Sequence, residues 1–117
     1  MPRRVLIIED NLDAAESLEI LIQIWGHQVK AVHDGPAGLE ATRTFDPDIV
    51  LCDIGLPGKM DGYELARQAR SQGCTARLIA LTGYGLEDDQ QRALDAGFDL
   101  HLTKPVDPTA LQRLLAV

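Results

Sequence analysis

Five times along this chain a short apolar run gives way to a stretch with helical spacing, and that alternation leaves few folds open. Val5 to Ile8, Ile49 to Cys52 and Leu78 to Leu81 are continuously apolar. Runs of that kind suit strands covered on both faces. Gln28 to Val32 alternates more weakly, as an edge strand does, and Asp99 to Leu102 is short. Between them Asp13 to Trp25 places Leu18, Leu21, Ile22 and Trp25 at helical intervals, with Gly26 as its stop. A turn at Asp34-Gly35-Pro36 leads into a second helix ending near Thr44, with Pro36 in the first helical turn. Asp61 to Gln72, Glu87 to Ala96 and Asp107 to Ala116 complete the set, with Gly73 and Gly97 closing the first two of these. Glu87, Asp88 and Asp89 suit the N-terminal end of their helix. Strand and helix in strict alternation predict an α/β fold: a doubly wound parallel sheet with helices on both faces.

The 117 residues read as one domain, 1–117, without a linker or low-complexity tract. A net charge of -7 argues against direct binding to nucleic acid or to an anionic membrane surface. No apolar run approaches the roughly 20 residues of a membrane span, and "MPRRVLIIEDN" lacks the apolar core of a leader. Cys52 and Cys74 form no disulfide framework or metal knuckle, and Cys52 reads as a buried thiol. These features together predict a cytoplasmic protein.

In open parallel sheets, ligands bind beyond the carboxyl ends of the strands. The first strand ends in Glu9-Asp10, the third in Asp53, the fourth in Thr82 and the fifth in Lys104-Pro105. Each has an ordinary explanation when taken singly. Asp10 could cap the next helix, Asp53 could close a turn, Thr82 could belong to loop chemistry, and Lys104 could be a solvated surface lysine. Taken together, three carboxylates at one edge repel one another unless a cation joins them. Mg2+ accepts one or two carboxylates and a substrate phosphate. Lys104 offers a compact charge for a phosphate oxygen and Thr82 a hydroxyl donor. A carboxylate can also attack phosphorus to form an aspartyl phosphate. The edge therefore reads as a phosphoryl-accepting site.

The segments "VLIIEDN", "DIVLCDIGLPG", "LIALTGYG" and "HLTKP", in that order and spacing, make the chain similar over nearly its whole length to the receiver domain of two-component response regulators. The wording "DIGLPG", "ALTGYG" and "AGFDLHLTKPVDP" resembles receivers of hybrid sensor histidine kinases in particular. The resemblance implies a flavodoxin-like sheet of order 2-1-3-4-5 with five helices. It makes Asp53 the phosphoacceptor, and Asp10, Asp53 and the Gly55 carbonyl direct Mg2+ ligands, with Glu9 helping through water. It pairs Lys104 with the phosphoryl group, moves Thr82 to hydrogen-bond that group, and allows a cis peptide at Lys104-Pro105. It implies a histidine kinase or histidine phosphotransfer domain as donor. The output partner would use the face of the fourth helix, fifth strand and fifth helix. Such a module catalyses its own phosphorylation and dephosphorylation without being a turnover enzyme. Gly55 and Tyr84 would flank the path of a water attacking the phosphoryl group.

Two departures stand out. Lys59 is an extra residue in "DIGLPGKMDG", which bears on the start of the third helix and the mouth of the site. His101 stands where the family more often has Tyr or Phe at a position that rotates inward on phosphorylation; the other reading is a half-exposed strand histidine. Rival functions fit less well. Phosphatases with an aspartyl nucleophile commonly carry a second acid two residues later, where this chain has Gly55. Flavodoxins cradle phosphate with a hydroxyl- and glycine-rich loop after the first strand, where "EDNLDAAE" is acidic. The sequence ends with the fifth helix, which leaves open a single-domain regulator or a module of a larger kinase.

Overall fold

A computed structural model of the chain describes residues 2–83 and 87–116. The elements run β1 (Arg4–Ile8), α1 (Leu12–Ile24), β2 (Gln28–Val32), α2 (Gly35–Thr44), β3 (Ile49–Asp53), α3 (Gly62–Ser71), β4 (Arg77–Thr82), α4 (Glu87–Ala96), β5 (Leu100–Thr103) and α5 (Pro108–Ala116). All four strand pairings are parallel, in the order β2-β1-β3-β4-β5. The chain winds outward from β1 to β2, then crosses back to β3. The strand order thus reverses between β1 and β3, which is where an open sheet leaves a crevice at its carboxyl edge.

The sheet separates two apolar layers. Leu6, Ile8, Val50, Cys52, Leu78 and Ala80 face Ala41 of α2, Leu65 and Ala66 of α3, and Ala93 and Ala96 of α4. Val5, Ile7, Ile49, Leu51, Ile79 and Leu81 face Ala15 and Ile22 of α1 and Leu111 and Leu115 of α5. The strict parity follows from the two-residue period of a strand. It also explains why the three inner strands are apolar throughout: each of their side chains is covered from one side or the other. A fully buried Leu or Ile contributes about 1.5–3 kcal/mol, so this core can hold a few polar groups at the strand ends in fixed positions. β2 and β5 lie at the edges and are only partly buried, as their weaker patterns predict.

Asn11, Asp34 and Asp61 cap α1, α2 and α3, accepting hydrogen bonds from the amides of Ala14, Ala37 and Glu64 at 3.0, 2.8 and 2.9 Å. Gly26, Gly73 and Gly97 all adopt positive φ after helices, as expected of stop residues. The Lys59 insertion is absorbed before the α3 cap, where Gly58 turns with φ 88°. Gly62 N–H still donates to the Ile54 carbonyl at 3.2 Å, so the helix start is kept.

β5 runs Leu100–Thr103, one residue later than its sequence pattern predicts, and the residue before it is held by a distant partner. The Asp99 carboxylate accepts from Arg70 at 2.8 Å and from the Leu78 amide at 2.9 Å. The same guanidinium donates to the carbonyls of Gly97, Cys74 and Ala76 at 3.0, 3.0 and 2.8 Å. Arg70 thereby ties the end of α3 to the turns entering β4 and β5, and the Asp99 side chain joins that tie while its amide donates to the Leu78 carbonyl at 2.8 Å.

Candidate functional site

The crevice at the carboxyl edge is built by residues that continue their strands. Glu9 N–H donates to the Val32 carbonyl at 3.0 Å, so strand geometry extends one step past β1. The Glu9 side chain is only 1% exposed. Asp10 is exposed, and the capping alternative for it is excluded because Asn11 occupies that role. Asp53 is the last residue of β3, in register with Leu81. Its Oδ1 accepts from the Gly55 amide at 2.9 Å and its Oδ2 lies 3.1 Å from Lys104 Nζ. Asp53 therefore does close a turn, and its other oxygen still faces the crevice.

Lys104 arrives from the opposite end of the sequence. Its amide donates to the Thr82 carbonyl at 2.7 Å, which continues the β4–β5 ladder by one residue. Its Nζ reaches Glu9 Oε1 at 2.6 Å as well as Asp53. The Lys104-Pro105 peptide is cis, as the resemblance implies. One oxygen from each of Glu9, Asp10 and Asp53 lies within 4.8 Å of the others. The structure thus brings Glu9, Asp10, Asp53 and Lys104 into one cluster, with Gly55 at its edge.

The remaining candidates stand differently. Thr82 is wholly buried, and its hydroxyl is directed to β5, 3.5 Å from the Leu102 carbonyl. His101 is half-buried in register with Ala80, on the sheet face covered by α2, α3 and α4. Tyr84 lies outside the described residues. Sequence reasoning assigned Lys104 to phosphate alone and missed its contact with Glu9. The signal was present: three acids at one edge demand a cation, and Lys104 is the base at those strand tips.

The electrostatics differ between the two buried acids. Burial raises the Glu9 carboxyl above the ordinary carboxylate range despite the hydrogen bond from Lys104, and the nearby Asp53 adds to the rise. Burial also pushes Asp53 up, but its hydrogen bonds with Glu9, the Gly55 amide and Lys104 outweigh that and hold it below the usual range. For Lys104, burial favours the neutral amine, and the bonds to Glu9 and Asp53 more than compensate, keeping it charged. Glu9 accordingly takes a proton before Asp53 does, and Asp53 stays ionised in neutral solution.

This donor set fits Mg2+. Three carboxylates converge on one point with a single ammonium among them, so the cluster is under-neutralised, and every donor is a hard oxygen. The sequence of residues 5–116 matches the family model of the response regulator receiver domain. The chain belongs to that family. A response regulator and a sensor histidine kinase are among its relatives. A 14.6 kDa protein of Leptolyngbya boryana is 35% identical across 95% of this receiver and 86% of that protein. Response regulator MprA of Mycolicibacterium vanbaalenii is 35% identical across 99% of it, and sensor histidine kinase RcsC of Salmonella typhi 34% identical across 97%. This receiver spans 48% of MprA and 12% of RcsC. A CheY-like receiver domain protein of Methanospirillum hungatei superposes with TM-score 0.90 at 28% identity, covering 99% of this chain and 92% of that one. The receiver domain of a sensor histidine kinase of Pseudomonas aeruginosa superposes with TM-score 0.88 at 32% identity, covering 98% and 95%. That structure carries a magnesium ion coordinated in its active site cleft.

Proposed function

We propose that Asp53 is the phosphoacceptor of this receiver, and that the domain, 1–117, acts in the cytoplasm as a signalling module that takes its phosphoryl group from a phosphohistidine. The observation that carries this reading is the setting of Asp53: one oxygen accepts from the Gly55 amide and the other lies beside Lys104, contacts that favour the carboxylate. In the reaction an Asp53 oxygen forms a bond to phosphorus while the bond from phosphorus to the donor's imidazole nitrogen breaks, its electron pair remaining on the ring. Lys104 neutralises part of the transferred charge. Asp10, Asp53 and the Gly55 carbonyl would hold Mg2+, with Glu9 assisting through water. Bound there, the metal supplies positive charge between the carboxylates and the incoming phosphoryl oxygens.

Phosphorylation adds roughly -1.5 to -2 units of charge. That shifts a conformational equilibrium only if two surfaces meet the phosphate differently. Thr82 is suited to this role, because its hydroxyl has only a long 3.5 Å bond to give up in turning toward Asp53. His101, on β5 in register with Ala80, would follow it. The output face would be α4, β5 and α5, where Leu94 and Leu100 are exposed apolar residues.

The metal assignment is checked by calorimetry. Asp10→Asn is expected to weaken Mg2+ binding by at least roughly tenfold, since it removes one charged ligand from a site with few. Equal affinities for variant and parent would overturn the assignment. A second outcome concerns lifetime. Among the described residues a Cβ at Gly55 would meet only Asp53 Oδ1, at an ordinary 3.5 Å. Gly55→Asn or Gly55→Glu should therefore be accommodated and place a water-orienting group beside the acyl phosphate. Both variants are expected to lose phosphate faster than the parent, as followed by decay of radiolabel. Unchanged decay in both would count against this picture.

A further inference from the structure

The Glu9 carbonyl has a partner outside the backbone ladder. His33, just past β2, places its Nδ1 3.0 Å from that oxygen. A carbonyl only accepts, so the ring must carry its proton on Nδ1. Parallel strands space their hydrogen bonds evenly, and the next one after Glu9 N–H to Val32 would come from a β2 amide. β2 has ended by then, and Asp34 has turned away to cap α2. The His33 ring supplies the missing donor.

That bond bears on Asp10 more than on Glu9. The Glu9 carboxylate is held twice already, by Lys104 at Oε1 and by the Asn11 amide at Oε2, 3.2 Å away. The Asp10 carboxylate is exposed and accepts no hydrogen bond among the described residues, so its direction depends on the backbone that carries it. The Glu9 carbonyl is half of the planar peptide joining Glu9 to Asp10. Glu9 N–H, in the preceding peptide, is held by Val32, and the bond from His33 to the Glu9 carbonyl holds the plane of the Glu9–Asp10 peptide. We infer that His33 is a positioning residue for the cation site: its ring pins the Glu9–Asp10 peptide and so aims the Asp10 carboxylate into the cluster. This rests on the proposed reading of the cluster as a Mg2+ site.

The test compares parent, His33→Ala and His33→Asn by calorimetric titration with Mg2+. Losing one neutral hydrogen bond should weaken binding by about three- to tenfold in His33→Ala. His33→Asn should bind like the parent, because its side-chain amide nitrogen occupies the place of Nδ1 and can donate to the same carbonyl. With acetyl phosphate as donor, His33→Ala should need more Mg2+ for half-maximal phosphorylation yet reach the parent's rate at saturating metal. Nitrogen NMR of the neutral ring should show the proton on Nδ1. Parent-like Mg2+ affinity in His33→Ala, a defect in His33→Asn equal to that in His33→Ala, or a proton on Nε2 would each overturn the inference while leaving the site itself intact. A parent that binds no Mg2+ would overturn the proposed function and this inference together.

Discussion

Incubation with acetyl phosphate and Mg2+ is expected to add one phosphoryl group to this protein, on Asp53, with no kinase present. The proposed nucleophile, cation cluster and charge partner all lie in this chain, and a small acyl phosphate needs no docking surface. An Asp53 oxygen would bond to phosphorus as the bond from phosphorus to acetate breaks, acetate leaving with the electron pair. Selectivity among the three carboxylates follows from their surroundings. Glu9 is 1% exposed, with Oε1 paired with Lys104 and Oε2 held by the Asn11 amide, so it presents no free oxygen to a donor. Asp10 is exposed and has no pairing cation within the described residues. Asp53 is ionised, oriented by Gly55 and beside Lys104. Intact mass should show a single adduct, lost on treatment with hydroxylamine. Asp53→Asn keeps the shape of the side chain and removes the nucleophile, so the adduct should vanish. Chelation should also abolish it, because an anionic donor would then approach an anionic nucleophile among further carboxylates. An adduct that persists in Asp53→Asn, or forms equally well in chelator, would mean the site has been misread.

The second large effect is on stability, from a residue the sequence pattern did not single out. Gly62 opens α3 directly against the end of β3. A Cβ there would stand 2.5 Å from the Ile54 Cα and 2.7 Å from the Asp53 carbonyl oxygen, both backbone atoms that cannot rotate aside. Gly62→Ala is therefore expected to cost about 2–3 kcal/mol, at the upper end of ordinary overpacking. That is a large share of the roughly 5–15 kcal/mol that holds a domain of this kind together. Gly83→Ala is the control: its Cβ would meet nothing within 4 Å among the described residues, and the change should stay within about 0.5 kcal/mol. Urea unfolding with an unchanged slope would report both as shifts of midpoint. Equal midpoints for the two variants would show that α3 can withdraw from β3. The Gly62 contact also explains why the turn after Asp53 is tight: the helix that follows is seated on the peptide of the proposed phosphoacceptor.

Much of this was legible beforehand, and the reasons are local. The inner strands announce themselves because burial on both faces demands apolar side chains at every position, and Val5–Ile8, Ile49–Cys52 and Leu78–Leu81 meet that demand. The helix stops were legible because positive φ favours glycine, and Gly26, Gly73 and Gly97 stand where it is needed. The site acids were legible because they end strands, and a parallel sheet puts all its carboxyl ends on one side. Boundaries were less so. Asn11 rather than Asp10 caps α1, and β5 starts at Leu100, just after an Asp99 whose carboxylate is held by Arg70, 29 residues earlier.

The sequence alone determined which groups would stand at the carboxyl edge, since alternating strands and helices leave that edge only one set of residues: Glu9, Asp10, Asp53, Thr82 and Lys104. Tertiary structure decided what each of them touches there. Lys104 bonds to Glu9 across 95 residues of sequence, Thr82 turns its hydroxyl toward β5, and His33 reaches back to the Glu9 carbonyl from the neighbouring strand. Strand order set these pairings, and strand order is fixed by how the two apolar layers pack on the sheet, which no short stretch of the chain encodes.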